Sequence, residues 1–498
     1  MYKPQKLHPI SYLSGVIEAI KQNIVLIFIF IIFNLDSFDF ANPKSYIYPG
    51  IILTIFIITF IYHALVVYKT KYWIENDHFI MDYGIVTKKR KELNIRRIQT
   101  VDTSQGVIHQ IVGGVKLQIK TPSDGVELDT VSKLQSEHIR NTIKQMQNEE
   151  QQEVTDSVEN VTQEGQDYNS ASTPHKVLFK LSKKQLLFMA MTSGAIGIAL
   201  ATIAPIIGSF SEVIPWERLS EKVANISQAI FVIVSLLVAI ILIISYVIGT
   251  LIVFIRYYNY TLSAHNDQLT IRYGLFNVKN ITVPTNRVQA ILEKQSFVRK
   301  LFGVTSITFV TTSDTKVESD DTTMADGNVL ILPFIKRNSA YRMLQELVPS
   351  FEFKPAAKIM PNRAFHRYFI KEAVILLIIG AALSYFWTIW VMVVICMIII
   401  LLIINAVITV KSSGLYYFDD QLVIRNVSLI GIKQFYLKKD KILGMELTSN
   451  PFMDKSKLRS FKCIVAKGIA NTKIGLRFVE KQQALDLKAW YLRGDGHE

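Results

Sequence analysis

The sequence predicts an α+β membrane protein in which one unit, a pair of membrane-spanning helices followed by a soluble domain of strands, is used three times. Two observations predict this fold class. Half of the 498 residues are hydrophobic, and they fall into six blocks. Three related segments of alternating apolar and polar residues follow the blocks, one after each pair. Self-similarity at a long spacing is typical of repeat architectures, so each unit is expected to form one structural module.

The apolar blocks are the candidate membrane spans, since a helix needs about 20 apolar residues to cross a bilayer. No small-residue cleavage site follows the first block, so we interpret it as an uncleaved anchor and not as a signal peptide. The six blocks are Val16–Asn34, Ile47–Tyr68, Leu186–Ile207, Ala229–Ile255, Ile370–Trp387 and Trp390–Val410. They pair into three hairpins.

The soluble segments share a motif that marks the first strands after each hairpin. The stretch NDHFIMDYG at Asn76–Gly84 returns as NDQLTIRYG at Asn266–Gly274. A weaker third copy, DDQLVIRN, begins at Asp419. Asn and Asp favour turns through local side-chain hydrogen bonds, so the motif predicts a hairpin. The residues that define the repeat are Asn76, Asp77, Gly84, Asn266, Asp267, Gly274 and Asp420.

The second half of each soluble segment changes period. LTIRYG in the second copy alternates apolar and polar residues, as a half-buried strand does. At the end of that copy, Ala340, Leu344 and Leu347 fall on one helical face. The first and third copies end in similar stretches. Each soluble domain is therefore predicted to contain about six or seven strands and one C-terminal helix.

A membrane hairpin, an Asn-Asp strand turn and a basic strand such as RRIQT at Arg96–Thr100 together resemble the second bacterial pleckstrin-homology-like (PH-like) family. Three tandem copies are similar to a group of membrane proteins of Gram-positive bacteria in that family. The resemblance implies PH-like β-sandwiches tied to the cytosolic side of the membrane. It also implies a smaller PH-like membrane protein as a partner, and it supplies no settled activity.

These boundaries divide the chain into seven segments. Transmembrane hairpins are predicted at residues 1–68, 181–255 and 356–410, and PH-like domains at 69–146, 256–355 and 411–498. Residues 147–180 remain as a linker. The overlapping stretch Gln145–Thr173 is acidic, lacks Lys and Arg, and has few apolar residues. Such a composition cannot bury enough surface to fold, so the linker is expected to be disordered.

Charge predicts the orientation. The chain carries 55 Lys and Arg against 41 Asp and Glu. The loops predicted to lie outside contain only Lys44, Arg218 and Lys222. Because cytoplasmic loops carry an excess of Lys and Arg, we expect a multi-pass cell-membrane protein with both termini in the cytoplasm. The two cysteines, Cys396 and Cys463, do not form a disulfide framework, which agrees with cytosolic domains.

Basic clusters are candidate ligands for anionic lipid headgroups, because each Lys or Arg near an anionic leaflet contributes about 1 kcal/mol of attraction. An ordinary solvated basic face is the alternative. Nucleic acid is not an expected partner, since stacking aromatics are not interleaved with the charge. The candidates are Lys88, Lys89, Arg90, Lys91, Arg96, Arg97, Arg287, Arg299, Lys300, Lys438, Lys439 and Lys441.

Catalytic chemistry has no recognisable motif in this sequence. There is no phosphate-binding glycine loop, no H-E-x-x-H and no G-x-S-x-G, and the nine histidines lack metal-ligand spacing. We therefore expect no enzyme activity, cofactor or metal. The favoured hypothesis is a non-catalytic platform under the bilayer. The resemblance makes a role in envelope integrity or in resistance to membrane-active antimicrobial peptides plausible.

The alternative hypothesis is a transporter or flippase for lipid or peptide. A polar residue within a membrane span is by default a candidate functional residue. The alternative is that these residues lie at the headgroup level, where charge is tolerated and long side chains reach the interface. A cavity lined by Glu18, His63 and Asn405 would favour transport, whereas helices packed in pairs would favour the platform.

Overall fold

The computed structural model describes residues 3–13, 15–16, 19–20, 22–23, 42–121, 125–156, 176–193, 229–265, 268–312, 327–386, 390–468 and 470–493. Most of the first and third predicted spans and most of the predicted outer loops lie outside the described residues, as do residues 157–175 of the linker and Asn266 and Asp267. The chain divides into two compact units, residues 1–282 and 283–498.

The first unit contains copy 1 and the first strands of copy 2. Its elements are β1 (Gln5–Lys6), α1 (Ile47–Lys69), β2 (Lys71–Glu75), β3 (His78–Tyr83), β4 (Lys89–Asn94), β5 (Thr100–Gln105), α2 (Val107–Val112), β6 (Gly114–Lys120), β7 (Gly125–Ser132), α3 (Lys133–Asp156), β8 (Lys176–Lys180), α4 (Lys183–Met191), α5 (Ala229–Arg256), β9 (Thr261–His265), β10 (Gln268–Tyr273) and β11 (Val278–Pro284).

Copy 1 has a four-stranded antiparallel sheet, ordered β1-β2-β3-β4, and a second layer formed by β5, β6 and β7. A single core includes side chains from both layers and from α3, among them Tyr72, Phe79, Leu117, Leu128 and Ile139. The period-two stretches thus form strands, and the C-terminal stretch forms the predicted helix.

The second unit contains the last strands of copy 2 and all of copy 3. Its elements are β12 (Val288–Ser296), α6 (Phe297–Leu301), β13 (Val304–Thr311), β14 (Asn328–Lys336), α7 (Arg337–Leu347), β15 (Ala357–Lys358), α8 (Ile370–Phe386), α9 (Trp390–Ser412), β16 (Gly414–Phe418), β17 (Gln421–Ser428), β18 (Gly431–Lys438), β19 (Ile442–Thr448), α10 (Pro451–Lys455), β20 (Leu458–Lys467), β21 (Ala470–Glu480) and α11 (Lys481–Leu492).

Successive copies share sheets, which the sequence did not predict. In the first unit, β11 of copy 2 pairs with β5 of copy 1 and completes a seven-stranded sheet, ordered β7-β6-β5-β11-β10-β9-β8. In the second unit, β18 of copy 3 pairs with β12 of copy 2 and completes another, ordered β14-β13-β12-β18-β17-β16-β15. The predicted independent sandwiches are therefore joined edge to edge by backbone hydrogen bonds.

Each copy also begins earlier than the sequence predicted. Short strands before each predicted membrane hairpin, β1, β8 and β15, pair with the first strand after it, β2, β9 and β16. Such a strand carries little periodicity, because two to five residues are too few for a pattern.

Three helices of the described residues are long and apolar enough to cross a membrane, over Ile47–Lys69, Asn362–Tyr385 and Val391–Ser412. The last two belong to α8 and α9, which pack against each other at Gly380 and Ile395. The described part of α5 contains a shorter apolar stretch, Ile240–Arg256.

The linker is ordered at both ends, contrary to the prediction for residues 147–180. α3 continues to Asp156, and Gln147 Nε2 donates hydrogen bonds to Ile95 O (2.8 Å) and Ile98 O (3.0 Å). At the other end, β8 pairs with β9. Gln and Glu are good helix formers and extend an existing helix without a core of their own, so composition alone misjudged this stretch.

Candidate membrane-facing surface

In every copy, one hairpin turns beside the end of a long apolar helix, which we call the helix-proximal end. In copy 2, Leu275 N donates to Ile255 O (3.1 Å) near the end of α5. In copy 3, Leu429 N donates to Asn405 Oδ1 (2.7 Å) in α9. In copy 1, Lys71 follows α1 after one residue and pairs with Asp82, next to the turn. The turns are therefore held at the same place in each repeat.

These hairpin turns expose apolar side chains. Val86 in copy 1 is 95% exposed, and Ile430 in copy 3 is 85% exposed. Leu275, Phe276 and Leu429 are also exposed. A large apolar side chain at a turn gains no free energy while it stays exposed to water. It gains free energy when the turn reaches the headgroup layer of a bilayer.

A short helix extends the apolar surface at two of these turns. Gln110 Nε2 on α2 donates to Leu275 O and Phe276 O (both 3.1 Å). Phe297 N on α6 donates to Ile430 O (3.3 Å). We define apolar patch 1 as the exposed residues Val107, Ile111, Val112, Leu275 and Phe276. We define apolar patch 2 as the exposed residues Phe297, Val298, Leu301, Phe302, Leu429 and Ile430.

Sequence reasoning missed both apolar patches. Their signal was present, since VIHQIVGG at Val107–Gly114 and FVRKLFG at Phe297–Gly303 are short apolar stretches at equivalent places in the repeat. An apolar stretch of this length looks the same whether it is buried or exposed. Only the neighbouring turns show that these helices present apolar side chains outward.

Glycine is required at two of the turns. Gly84 and Gly274 have φ angles of 104° and 114°, which side chains rarely adopt. A Cβ atom at Gly274 would also overlap the carbonyl oxygen of Asn277. The last residue of the repeated motif is therefore a glycine that shapes the turn.

We expect Gly274→Ala to destabilise the first unit by roughly 3 kcal/mol, through left-handed strain and steric overlap together. Gly113→Ala is the matched control, because Gly113 also has a positive φ (71°) but a Cβ there would meet no atom within 4 Å. We expect about 1 kcal/mol for the control. Hydrogen exchange of the β10 and β11 amides in detergent measures the loss of stability in both variants. An equal loss in Gly274→Ala and Gly113→Ala would contradict the steric argument.

The basic candidates separate into two groups by position. Lys88, Lys89, Arg90 and Lys91 lie at the helix-proximal end, beside Val86. Arg90 already pairs with Asp82 (Nε–Oδ1 2.8 Å) and lies over the Trp73 ring, and Lys91 Nζ donates to Gly125 O. The Asp82 hydrogen bond raises the pKa of Arg90. Lys88 and Lys89 are exposed and are the best placed of the group, as is Lys300 on α6 for apolar patch 2.

Another group lies at the opposite, helix-distal end of the strands, about 17 Å away by strand rise. The backbone at these residues is hydrogen-bonded to the turns at this end. Ile95 N donates to Asp77 O (2.8 Å), and Lys439 N donates to Asp420 O (2.7 Å). Arg96 and Lys438 pair with acids of those turns. The structure therefore separates these predicted headgroup ligands from the apolar turns: Arg96, Arg97, Arg287, Lys438, Lys439 and Lys441.

Arg299 is corrected for a different reason. Its side chain is buried, with the guanidinium over the Phe334 ring (5.6 Å) and Nη1 donating to Pro333 O (3.5 Å). A headgroup cannot reach it. Sequence reasoning grouped it with Lys300 because the two residues are adjacent in the chain. Adjacent residues on a helix point in different directions, and the sequence alone does not reveal which of them is buried.

The repeat-defining residues have structural roles where the structure describes them. Asn76 (φ 48°) and Asp77 (φ 59°) both adopt the left-handed region, as a tight two-residue hairpin requires. Asp420 accepts the amide of Lys439 at the equivalent turn of copy 3. The motif therefore specifies the two ends of one hairpin, a distal turn and a proximal glycine.

The described residues contain no group of three or more His, Cys, Asp or Glu side chains placed to hold a metal ion. Of the two cysteines, Cys463 is buried in the core of copy 3, and burial raises the pKa of its thiol to about 12. A thiol in that state is a poor nucleophile.

Comparison with known proteins agrees with the repeat. A model of the bacterial PH domain matches residues 24–147, 198–347 and 373–495, and each match ends in or just after the C-terminal helix of a copy. Over 400 residues the chain is 28% identical to the UPF0699 transmembrane protein YdbT of Bacillus subtilis (strain 168), with 78% of each chain covered. No solved structure matches the chain. The family resemblance read from the sequence is thus confirmed, and this transmembrane chain belongs to the bacterial PH domain family.

Proposed function

We propose that the protein is a non-catalytic platform whose three PH-like copies rest against the inner leaflet of the cell membrane. The observation that carries this proposal is the pair of apolar patches at the helix-proximal turns. Each patch combines a hairpin turn with a short helix, and the hairpin turn bonds to the C-terminal part of an apolar helix. Apolar surface in that position gains most when it enters the headgroup layer of the bilayer.

The proposed topology has six spans in three hairpins, with both termini in the cytoplasm. The distribution of Lys and Arg supports it, since few basic residues occur in the predicted outer loops. The apolar turns support it as well, because the helix-proximal turns bond to Ile255 near the C-terminal end of α5 and to Asn405 in the C-terminal third of α9.

The process served is envelope integrity or resistance to membrane-active peptides, in partnership with a smaller PH-like membrane protein. The resemblance carried by the sequence motifs suggests this part of the proposal, and the sequence has no recognisable catalytic motif. A platform of this kind would act by covering or organising the inner leaflet, with anionic lipid headgroups as its contacts.

Transport is the less favoured alternative. Asn405, one of the polar residues expected to line a pathway, has its Oδ1 occupied by the Leu429 amide (2.7 Å). His63 Nε2 lies 3.4 Å from Gln22 Oε1, a local contact between neighbouring segments. Glu18 lies outside the described residues. Structural partners for two of the three residues favour helix packing over a pathway.

Fluorescence quenching by lipids tests the proposal. We expect an environment-sensitive dye on Ile111→Cys or Leu301→Cys, in full-length protein in liposomes with Cys396 replaced by Ala, to be quenched by spin-labelled lipids. The same dye on Arg97→Cys is the control, because Arg97 lies at the helix-distal end. Equal, weak quenching at all three positions would refute a membrane-apposed surface.

Charge at the helix-proximal end should add to this attachment. We expect Lys88→Gln with Lys89→Gln to weaken the interaction of the copy 1 turn with anionic lipid by about 1 kcal/mol per charge. A dye on Val86→Cys, compared between neutral and anionic liposomes at low and high salt, provides the measurement. Arg96→Gln with Arg97→Gln removes the same charge from the distal end and should change nothing. A similar response from both double variants would mean that net charge, not position, is what matters.

A further inference from the structure

Copies of the repeat join by the same strand pairing twice within the chain. In the first unit, β5 of copy 1 pairs antiparallel with β11 of copy 2, with Thr103 opposite Asn280. In the second unit, β12 of copy 2 pairs antiparallel with β18 of copy 3, with Glu293 opposite Gln434. In both cases the first strand after the 3-10 turn of one copy meets the strand after the proximal hairpin turn of the next.

The two junctions have the same register. Thr103 and Glu293 occupy equivalent positions, since β5, β12 and the 3-10 turns before them are displaced by 190 residues (Ile95–Arg97 against Thr285–Arg287). Asn280 and Gln434 are equivalent in the same way, through a displacement of 154 residues (Thr285–Arg287 against Lys439–Lys441). A pairing that recurs residue for residue is a property of the repeat and not of one accidental contact.

At the two ends of the series, the equivalent strands have one strand neighbour each among the described residues. These are β4 of copy 1, at the end of the order β1-β2-β3-β4, and β19 of copy 3, at the end of the order β19-β20-β21. Side-chain exposure differs with the pairing at two of these positions. Gln434 in the paired strand β18 is buried, whereas its equivalent in β4, Arg90, is exposed. Glu293 in β12 is buried, whereas its equivalent in β19, Leu447, is half-buried.

We propose that β19 of one chain pairs antiparallel with β4 of a second copy of the same chain, in the register of the two internal junctions. That register places Leu447 opposite Arg90 and Thr448 opposite Lys89. The occupant is a second copy because one chain supplies both halves of a junction that it already forms twice. Unpaired strand edges are templates for such addition, since their backbone N–H and C=O groups need partners.

Basic side chains on β4 do not prevent this pairing. Lysine protects some edge strands from association. However, the position of Lys89 is also lysine in β11 (Lys279) and in β18 (Lys433), and both of those strands are paired. Lys433 even lies opposite Lys294, and burial together with the Lys433 charge lowers the pKa of Lys294. In the proposed junction, Lys91 lies opposite Glu446, a residue of opposite charge that already pairs with Lys473 (Nζ–Oε2 2.7 Å).

The contact is head to tail, because it uses different surfaces on the two chains. Such contacts close into rings or continue as open rows. A row or ring of chains would extend the platform laterally beneath the membrane.

Disulfide trapping between two tagged copies tests the proposal in native membranes. One full-length copy carries Arg90→Cys with one tag, the other carries Leu447→Cys with a second tag, and Cys396 is replaced by Ala in both. Opposite residues of an antiparallel pair are close enough for a disulfide, whereas diagonal neighbours are about 7–8 Å apart. We expect several-fold more two-tag product for this pair than for Arg90→Cys with Met445→Cys, which lies on the same face but off register.

A second in-register pair, Lys89→Cys with Thr448→Cys, gives the result independently of any damage at Arg90. A single chain carrying both Arg90→Cys and Leu447→Cys should give a ladder of products larger than a dimer. Three results would overturn the proposal: trapping no stronger in register than off register, trapping of Arg90→Cys with itself, or trapping of Arg90→Cys with a different protein.

Discussion

Asp102→Ala is expected to open the junction between copies 1 and 2. Asp102 Oδ2 lies 2.6 Å from Lys120 Nζ, with both side chains buried, and Asp102 Oδ1 accepts the Thr282 amide of β11 (2.8 Å). Removal of the carboxylate leaves a buried ammonium and a half-buried N–H without that partner. Breaking one side of a buried ion pair costs about 3–5 kcal/mol.

Hydrogen exchange measured by mass spectrometry reads this effect where it occurs. Amides of β5 and β11 should exchange roughly two to three orders of magnitude faster, at 1.4 kcal/mol per tenfold change. Asp82→Ala is the matched control, because Asp82 pairs with Arg90 at the surface, and such pairs contribute about 0–1 kcal/mol. Asp102→Leu combined with Lys120→Leu should recover much of the loss. No faster exchange in Asp102→Ala would mean that backbone pairing alone holds the junction.

Arg337→Met is expected to have the next largest effect, at the junction between copies 2 and 3. Glu293 is buried on β12 and accepts from Arg337 Nε (2.9 Å) and from the Tyr341 hydroxyl (2.7 Å). The Tyr436 hydroxyl of β18 donates to Tyr341 (3.2 Å) and accepts from Gln434 (2.7 Å). The network therefore connects the two copies across the paired strands.

Charge explains why Arg337 matters. Burial lowers the pKa of Arg337, but attraction to Glu293 outweighs it, so the pKa is raised. Burial, then the Glu293 charge, raises the pKa of Tyr341 to about 12, so its hydroxyl remains a donor at neutral pH. Without Arg337, the Glu293 carboxylate retains only the hydroxyl, and we expect a loss of about 3 kcal/mol.

Exchange of β12 and β18 amides checks the Arg337 prediction. Arg363→Met is the control in the same unit, since Arg363 pairs with Glu480 at the surface and should contribute about 0–1 kcal/mol. Arg337→Met combined with Glu293→Gln should be less damaging than Arg337→Met alone, because the buried charge is then absent. Equal effects of the single and double variants would show that packing, and not charge, accounts for the loss.

Features with a local cause were predicted well. The Asn-Asp turn, the alternating strands and the C-terminal helices occur as expected, because turn chemistry and side-chain period act within a few residues. The candidate site was predicted only in part. Lys88 and Lys89 lie at the helix-proximal end, but Arg96 and Arg97 of the same basic run lie at the other end of β4. A strand of six residues is enough to separate two halves of one charge cluster.

By itself, the sequence determined the threefold repeat, the apolar segments and the succession of strands along the chain, since these depend on residue types at regular spacing. Only the tertiary structure decided that β5 joins β11, that β12 joins β18, and that two short apolar helices face outward beside the hairpin turns. The physical reason is that strand edges pair through backbone groups that every residue except proline carries alike. No pattern of side chains marks which strand edge will pair with another strand. The packing of the layers decides which edges pair.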